Sequence, residues 1–390
     1  MSLAGKKIIM AEHLDWDSPC QVGSHAYADY FLRDGAQVLW FTSAWSLPSL
    51  IFSKNSTWVK VERWLANARA EVRPGLYVYS PFTCLPSKNK PLLRSHLAAR
   101  HGLRYTIPRV TSWLKSRGWG EVDLLWTTNV VHADLLDMVR YKRSAYRIAD
   151  MTAAYKDVTP AFRKVEDEVI ARVDQVFVAS RAMQDYVVRL NKNCQYLPNG
   201  VYLDRFRNSS YPAEYHDMPS PKAIYVGAID ERLDINLLRV LAEQLPDVSF
   251  CLIGPVSVDV SALVRASNVY LLGCREQSQL AGYLEHADVG IIPFVRNDLT
   301  QHVSPLKLLQ YFASGLPVVS TDLAEIRSLG SPALLACGAK EFADATLEAL
   351  RGGRNRPEYA RHASDNTWES RYKVVRAWFS SCSAELARVT

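Results

Sequence analysis

One segment of the chain has the side chains and spacing to bind a phosphate group. Residues 289–321 read VGIIPFVRNDLTQHVSPLKLLQYFASGLPVVST: an apolar strand, a polar loop and a helix. Ser304 as the N-cap and Pro305 at the first helical position predict where that helix begins. A helix N-terminus attracts anions, and Lys307 in the first turn adds a cation. Gln310 shares the face of Lys307 and could reach a ribose hydroxyl, so the segment predicts a pyrophosphate site.

Short apolar strands that alternate with amphipathic helices must position this segment. In the C-terminal half, strands are predicted at 223–229, 249–253, 269–272, 289–294, 317–320 and 333–336, with helices at 236–245 and 279–286. In the N-terminal half, strands are predicted at 7–11, 38–42, 123–127, 145–150 and 175–179, and a helix at 24–33. Strands separated by single helices indicate parallel sheets covered by helices on both faces. Residues 50–120 show no clear period.

A chain of 390 residues is expected to form two domains. The segment after Arg205 is rich in Pro and Ser and has no periodicity, which predicts a linker. We therefore divide the chain into an N-terminal domain (1–205), a linker (206–222), a C-terminal domain (223–367) and a final amphipathic helix (368–390) that returns to the first domain.

Composition excludes several classes of protein. No apolar run reaches the roughly 18 residues of a membrane span. The seven cysteines are scattered without a C-x-x-C pair, which favours a reducing cytoplasm over a disulfide framework or zinc site. The first strand is not followed by G-x-G-x-x-G, and there is no P-loop, so nicotinamide and ATP-hydrolysing functions lose their main support. Asp15 and Asp17 form a D-x-D pair, but such pairs arise often by chance, so we expect neither metal nor other cofactor.

Positive charge is concentrated in the N-terminal half. Residues 1–205 carry 28 Lys/Arg and 19 Asp/Glu, whereas 54–117 carry 13 basic residues and only two acidic ones. Such a surface suits an anionic partner. We expect an anionic membrane surface, reached by Arg94, Arg100, Arg104, Arg109, Lys115, Arg117 and the interface-seeking Trp113 and Trp119. A groove for an anionic polysaccharide is the alternative, and nothing indicates nucleic acid.

The segment SPLKLLQYFASGLPVVST resembles the donor-site signature of GT-B glycosyltransferases. YVGAIDERLD, VSFCLIGPV, NVYLLG, YLEHADVGIIPF and YLPNGVYLDRF extend the resemblance over most of 123–321. Teichuronic-acid-type transferases and xanthan-type glucuronosyltransferases are the most similar groups. The resemblance implies an α/β fold with two Rossmann-like domains whose parallel sheets face a cleft.

The resemblance also implies roles for individual residues in holding a nucleotide-sugar. Gly227 would let the strand end approach the phosphates, Ile229 and Leu272 would lie near the base, and Arg232 would supply positive charge. Ribose and pyrophosphate would be held by Ser304, Leu306, Lys307 and Gln310. Many retaining relatives carry a Glu pair where this chain has His302 and Gln310, which favours an inverting transfer.

An inverting transfer needs a carboxylate or imidazole to accept the proton of the acceptor hydroxyl. Asp150 follows a strand in SAYRIAD and resembles the Asp base of the xanthan-type enzymes, so it is the first candidate. His13, after the first strand, is the second candidate. Asp15 and Asp17 are candidates for acceptor binding.

The sequence thus predicts a cytoplasmic glycosyltransferase, peripheral at the inner face of the membrane. It would move a sugar from a nucleotide diphosphate, with UDP preferred, to a polysaccharide or lipid-linked acceptor. A sugar-nucleotide epimerase of the same fold and an inactive nucleotide-sugar-binding protein are the alternatives.

Overall fold

The computed structural model describes residues 3–18, 21, 23–46, 61, 71–84, 96–150, 158–206 and 209–381. The chain forms two compact units. The first comprises Met1–Ala179, Met183–Leu197 and Tyr372–Thr390, and the second comprises Ser180–Ala182 and Pro198–Arg371. Each unit has its own sheet and its own hydrophobic core.

The first unit is built on an eight-stranded sheet of order β10-β9-β8-β7-β1-β2-β4-β3. Its neighbouring strands run parallel, except that β3 is antiparallel to β4; β5 and β6 form a separate antiparallel pair. The strands are β1 (Lys7–Glu12), β2 (Gln37–Thr42), β3 (Glu71–Arg73), β4 (Leu76–Tyr79), β5 (Phe82–Thr83), β6 (Thr106–Ile107), β7 (Glu121–Thr127), β8 (Arg140–Ile148), β9 (Gln175–Val178) and β10 (Cys194–Tyr196). The helices are Gly23–Arg33, His96–Arg100, Val110–Ser116, Leu135–Met138, Pro160–Arg172 and Gln184–Leu190.

The central strands of this sheet are buried along nearly their whole length. β1 and β2 each bury five of their six residues, as expected where helices cover both faces of a parallel sheet. Large aromatic side chains fill the space beside the sheet, and Trp126 stacks on Phe177 at a centroid distance of 5.6 Å. The predicted strand 145–150 begins earlier and ends earlier, at Arg140–Ile148, which leaves Asp150 in the loop that follows.

The second unit contains a six-stranded parallel sheet of order β13-β12-β11-β14-β15-β16. Its strands are β11 (Lys222–Val226), β12 (Ser249–Ile253), β13 (Val269–Gly273), β14 (Val289–Ile292), β15 (Val318–Thr321) and β16 (Leu334–Ala336). Its helices are Ile235–Gln244, Ser261–Val264, Gln277–Glu285, Asp298–Gln301, Leu306–Ala313, Ala324–Ser328, Ala339–Gly352 and Pro357–Asp365.

Both units also contain short 3₁₀ turns. They lie at Gly102–Tyr105, Val130–His132, Arg181–Met183, Leu203–Phe206 and Ala213–Asp217.

The segment predicted as a linker, 206–222, lies within the second unit. Tyr215 is buried, and its hydroxyl donates to the carbonyl oxygen of Tyr283 at 3.1 Å. Glu214 forms an ion pair with Arg275 at 2.7 Å. Tyrosine and glutamate in this Pro-rich stretch therefore anchor it against the helix Gln277–Glu285 and the loop before it.

The last described helix is Trp368–Ser380, and its residues from Tyr372 onward belong to the first unit. The Tyr372 ring stacks on Tyr30 at 5.1 Å, and its hydroxyl donates to Asp34 at 2.6 Å. Among the described residues, no helix combines the length and apolar character needed to cross a membrane.

Candidate functional site

The predicted phosphate-binding segment lies at the carboxyl edge of the second sheet. Its strand β14 pairs with β11 in the middle of the sheet. After β11 the chain continues to β12 on one side of this pair, and after β14 it continues to β15 on the other side. Ligands of open parallel sheets bind at such a change of direction. The loop after β11 and the helix Leu306–Ala313 are therefore the elements that build the site.

Lys307 is the central cation of this site. Its ammonium nitrogen lies 4.0 Å from the centroid of the Tyr225 ring and 4.5 Å from that of Phe294. Burial, and then the neighbouring charge of Arg232, hold the pKa of Lys307 well below its usual range, against the opposing effect of Asp230. No carboxylate of the described residues lies within ion-pair distance of Lys307. An anionic ligand would restore the favourable environment that burial removes.

Lys307 is half-buried in the first turn of the helix. Its ammonium lies over two aromatic rings, because Tyr225 of β11 and Phe294, which follows β14, are placed next to the start of the helix. Such contacts favour a cation even without an acidic partner.

Gly227 brings the backbone close to this ammonium. Its φ is +147°, and a β carbon at this position would lie 2.8 Å from the Lys307 ammonium nitrogen. The loop is held by two tyrosine hydroxyls: Tyr225 donates to the Ala228 carbonyl at 2.7 Å, and Tyr311 accepts from the Val226 N–H at 2.9 Å. Only glycine leaves open space beside the cation here.

Arg232 forms an ion pair with Asp230. Its Nε and Nη2 donate to the two carboxylate oxygens at 3.0 and 2.6 Å. Burial opposes the ionisation of Asp230, but the bonds and charge of Arg232 outweigh it and keep the pKa of the carboxyl below its usual range. The Arg232–Asp230 pair has almost no net charge. The net positive charge of the site therefore comes from Lys307.

The helix begins one residue later than predicted, with Pro305 as the N-cap and no side chain capping its first turn. Ser304 is therefore wrong as the cap. It is buried, and its carbonyl oxygen accepts from the Asn199 side chain at 2.8 Å. Leu306 and Gln310 are half-buried on the same helix. An uncapped first turn leaves N–H groups available to an anion.

The two residues predicted to lie near the nucleotide base, Leu272 and Ile229, differ in exposure. Leu272 is half-buried near the end of β13, on the far side of β12 from β11. Ile229 is fully buried, and its backbone N–H donates to Pro255 at 2.8 Å. Ile229 therefore supports the loop from below and presents no exposed face.

The candidate catalytic and acceptor residues lie at the carboxyl edge of the first sheet. His13 and Asp17 are exposed after β1, and Asp15 is half-buried between them. Asp150 is half-buried after β8. β7 separates β1 from β8 in the sheet, so the two strands are about 10 Å apart. The structure places these residues at one edge of the sheet, in the loops after two different strands.

Trp16 fixes the loop between the two aspartates. Its ring lies 5.1 Å from Trp40 and 5.2 Å from His25, and the Arg73 guanidinium lies over it at 4.8 Å. Among the residues that the structure describes, no group of three or more His, Cys, Asp or Glu side chains is arranged to hold a metal ion.

Glu12 is an ionisable residue that the sequence analysis missed. It ends β1, is 2% exposed, and accepts a hydrogen bond from the Thr128 hydroxyl at 2.5 Å. Burial raises its pKa to about 7, although Thr128, Ser24 and the charge of Arg147 act in the opposite direction. A lone acid at the end of the apolar run KIIMAE was the available signal.

The basic segment differs from its prediction in one respect. Trp113 and Trp119 are 7% and 4% exposed, so they are wrong as residues that contact lipid. Trp113 stacks on Tyr79 at 3.7 Å, and Trp119 packs edge-on against Tyr77 at 5.5 Å.

The charges of the segment divide into paired and exposed groups. Arg100 is 10% exposed and forms an ion pair with Asp137 at 2.7 Å. Arg104, Arg109 and Lys115 are exposed, and of these Arg104 also lies 3.7 Å from the carboxylate of Asp134. Arg94 lies outside the described residues.

Residues 220–352 match the model of the family Glycosyl transferases group 1. This segment contains the Lys307 site and is similar to a group 1 glycosyltransferase domain. The predicted resemblance is confirmed.

Two curated relatives extend the likeness beyond this domain. The chain is 27% identical over 233 residues to TuaH of Bacillus subtilis, named a teichuronic acid biosynthesis glycosyltransferase; the match covers 55% of the chain and 59% of TuaH. It is 28% identical over 183 residues to the UDP-glucuronate:glycolipid 2-beta-glucuronosyltransferase of Xanthomonas campestris pv. campestris, covering 45% of the chain and 42% of that enzyme. The chain thus spans about three fifths and two fifths of these relatives.

Solved structures show the fold. Sucrose-phosphate synthase from Thermosynechococcus elongatus superposes with a TM-score of 0.69 at 18% identity, covering 97% of this chain and 100% of that one. HepE from Anabaena, in complex with UDP and glucose, has a TM-score of 0.68 at 14% identity, with 97% and 100% covered. The fold is that of the GT-B glycosyltransferases, and the predicted fold class is confirmed.

Proposed function

We propose that the protein is a glycosyltransferase that takes a sugar from a UDP-sugar and transfers it to a saccharide or lipid-linked saccharide in cell-surface glycan synthesis. The observation that carries this proposal is the half-buried Lys307, whose ammonium has no acidic partner among the described residues and lies beside Gly227 at an uncapped helix start. This arrangement suits a diphosphate better than any neutral ligand.

The names and ligands of the relatives support a UDP-sugar as the proposed donor and a cell-surface saccharide as the proposed acceptor. HepE was crystallised with UDP and glucose and with UDP-glucose. One curated relative is named for UDP-glucuronate and a glycolipid, the other for teichuronic acid. These names favour UDP over other nucleotides and a cell-surface glycan over a small acceptor.

In the proposed reaction the leaving diphosphate is stabilised by positive charge that the protein has fixed in advance. Lys307 and the N–H groups of the first helical turn supply that charge, so we propose that the transfer needs no resident metal or other cofactor. The acceptor hydroxyl attacks the anomeric carbon as the bond to the diphosphate breaks. Asp150 takes the hydroxyl proton, and His13 is the second candidate for this role.

We propose inversion at the anomeric carbon. The positions where many retaining relatives carry two glutamates are His302 and Gln310, and neither side chain can ionise to a carboxylate. His302 Nδ1 is instead bonded to the Asp298 carbonyl oxygen at 2.5 Å. Without a carboxylate at these positions, a single displacement with a base on the acceptor is the simpler chemistry.

The Lys307→Met variant tests the donor site. Methionine keeps the contacts with Tyr225 and Phe294 but removes the charge, so UDP affinity should fall about 10- to 100-fold, the value of a charged hydrogen-bond donor. The variant should be folded as stably as the wild type, because a desolvated cation contributes little to the fold. Titration calorimetry with UDP and urea unfolding measure the two effects.

The control is Arg265→Gln, which removes an exposed positive charge from the same unit and should leave UDP affinity unchanged. Equal affinity of Lys307→Met and wild type would remove Lys307 from the donor site. Conversion of a UDP-sugar to its epimer without an acceptor would replace the transferase with an epimerase.

We also propose that the first unit meets an anionic membrane surface through the loop around β6. Tyr105 and Ile107 are 53% and 52% exposed, and the exposed Arg104 and Arg109 flank them. Apolar side chains between basic ones suit an anionic lipid interface. A lipid-linked acceptor would be found at that surface, so the protein would act there as a peripheral cytoplasmic enzyme.

A further inference from the structure

The second unit has a cavity of about 300 Å³ that the proposed donor site does not use. It lies at the carboxyl ends of β14, β15 and β16, and the helices Ile235–Gln244 and Ala339–Gly352 contribute to its wall. Lys307, Gly227 and Gln310 do not line it. Phe294 is shared, since it lines the cavity and also lies beside the Lys307 ammonium.

The long helix Ala339–Gly352 begins at the cavity. Its N-cap is Gly338, which has no side chain that could accept a bond from the first turn, and Cys337, Gly338 and Ala339 all line the space. A fourteen-residue helix has a full dipole, and its uncapped N–H groups favour negative charge.

Thr321 provides a second, independent sign of a ligand. It lines the cavity and is 5% exposed, and its hydroxyl has no hydrogen-bond partner among the described residues. A buried hydroxyl without a partner costs about 1–3 kcal/mol, so such groups usually face a ligand or water.

The strand register shows which way Thr321 points. Gly290 faces the helix Leu306–Ala313, because a β carbon there would meet the Tyr311 ring at 2.3 Å. Gly290 pairs with Val318, and side chains alternate along a strand, so Thr321 points to the opposite face of the sheet. Its side chain is therefore directed away from the helix that carries Lys307.

The rest of the cavity wall has a polar part and an apolar part. Arg296 is exposed, lines the cavity, and makes no ion pair within the described part of the chain. Asp234 also lines it, but its carboxylate accepts from the Leu237 N–H at 2.8 Å and caps its own helix. Leu237, Val240 and Phe342 form the apolar part.

Glu341 lies in the first turn of the same helix and partly offsets the dipole. Its carboxylate accepts from the Cys337 N–H at 2.8 Å.

We propose that this cavity binds a small organic anion with a carboxylate or phosphate monoester head group. The head group would accept from the Thr321 hydroxyl and from the first N–H groups of Ala339–Gly352, with Arg296 as the counter-charge. The body of the ligand would lie against Leu237, Val240 and Phe342. The site is distinct from the Lys307 site and does not depend on the proposed transferase activity.

Cys337 offers a direct readout because it is exposed at the cavity wall, with its Sγ 3.7 Å from the carboxylate of Asp322. Cys274, exposed in the same unit, is an internal control. The full chain is alkylated with iodoacetamide in the presence of phenyl phosphate, benzoate or inorganic phosphate, and each cysteine is followed by mass spectrometry. At least one organic probe should slow alkylation of Cys337 and leave Cys274 unchanged.

Two variants test the assignment of the head group. Thr321→Val replaces the hydroxyl with a methyl group of similar size, and Arg296→Gln changes an exposed side chain, so both should fold. Each should raise the probe concentration needed for protection about threefold to tenfold, the value of one hydrogen bond, while Arg265→Gln should not. Saturating UDP should leave protection by the probe unchanged.

Three results would overturn the proposal. The first is no protection by any probe at millimolar concentration, and the second is equal protection in wild type and both variants. The third is loss of protection when UDP is added, which would make the cavity a part of the donor site.

Discussion

Lys307 and Glu12 are ionisable side chains in places where burial opposes their charge. Lys307 is held against the rings of Tyr225 and Phe294 with a lowered pKa, and Glu12 ends a buried strand with its pKa raised to about 7. Groups with shifted pKa values cluster at functional sites. Each lies at the carboxyl edge of its own sheet.

Glu12 should make stability depend on pH. Below its ordinary pKa of 4.5, the carboxyl is protonated in both the folded and unfolded chain. As the pH rises from there to about 7, only the unfolded chain loses the proton, so the free energy of unfolding falls by up to roughly 3 kcal/mol. The Glu12→Gln variant should lose this part of the pH dependence in urea unfolding of the first unit.

Glu121→Gln is the matched control, because Glu121 pairs with Arg140 at an exposed position and should contribute less than about 1 kcal/mol. A wild-type stability that stays level from about pH 5 to about pH 8 would show that Glu12 titrates normally.

Asp150 should affect the rate of transfer but not the affinity for the donor. Asp150→Asn keeps size and hydrogen bonding but cannot take a proton, so kcat should fall about 10²- to 10⁴-fold while UDP affinity stays the same. Asp17→Asn, at an exposed position of the same sheet edge, should change KM for the acceptor more than kcat. Full activity of Asp150→Asn, with loss of activity in His13→Ala, would assign the base to His13.

The loops after β11 and β12 form one compact element because two glycines meet there. Gly254 has φ +150°, and a β carbon on it would lie 1.9 Å from the carbonyl oxygen of Gly227. Gly227 in turn leaves room for the flexible end of Lys307. The first contact is backbone against backbone, and the second can be relieved by a side-chain movement.

Alanine at these positions should therefore have different effects. Gly254→Ala should lower the free energy of unfolding by more than the 1–3 kcal/mol of backbone strain alone, because the Gly227 backbone must also move. Gly227→Ala should destabilise less but weaken UDP binding, because it displaces Lys307. Gly330→Ala, with φ +58° and open space around it, measures the strain without a clash. Equal stability of the Gly254 and Gly330 variants would contradict this account.

Across the whole molecule, positive charge belongs mainly to the first 205 residues, which carry a net +9, whereas the rest carries −3. Part of that charge is neutralised, as at Arg100, and part is exposed beside Tyr105 and Ile107. The exposed part, and not the total, decides whether a surface attracts anions.

The loop around β6 should attach the protein to anionic vesicles. Co-sedimentation with phosphatidylglycerol vesicles should be strong at low salt and weak at high salt, since each basic side chain at such a surface contributes about 1 kcal/mol. The double substitution Tyr105→Ser and Ile107→Ser should weaken binding, and so should Arg109→Gln. Val264→Ser, which changes a 66% exposed apolar residue of the second unit, should not. Equal binding to neutral vesicles, or none to either kind, would leave a soluble acceptor as the better proposal.

Local sequence determined the elements and the position of the candidate phosphate-binding segment. Strand 249–253 has the bounds that its apolar run predicted, and the helix after the polar loop begins within one residue of the prediction. These features depend on neighbours in the chain: the alternation of apolar residues, a proline at the helix start and a glycine at its end. The order of such elements predicted parallel sheets covered by helices, and the resemblance of the donor-site segment implied the GT-B fold.

Only the tertiary structure decided how the charged and aromatic side chains are surrounded. Lys307 is desolvated by Tyr225, which is 82 positions earlier in the chain, and Glu12 is held by Thr128. Trp113 lies in a basic segment but is buried because β4 brings Tyr79 against it. Burial, and with it each pKa and each exposed surface, is set by residues distant in sequence that pack together only when the sheet has formed.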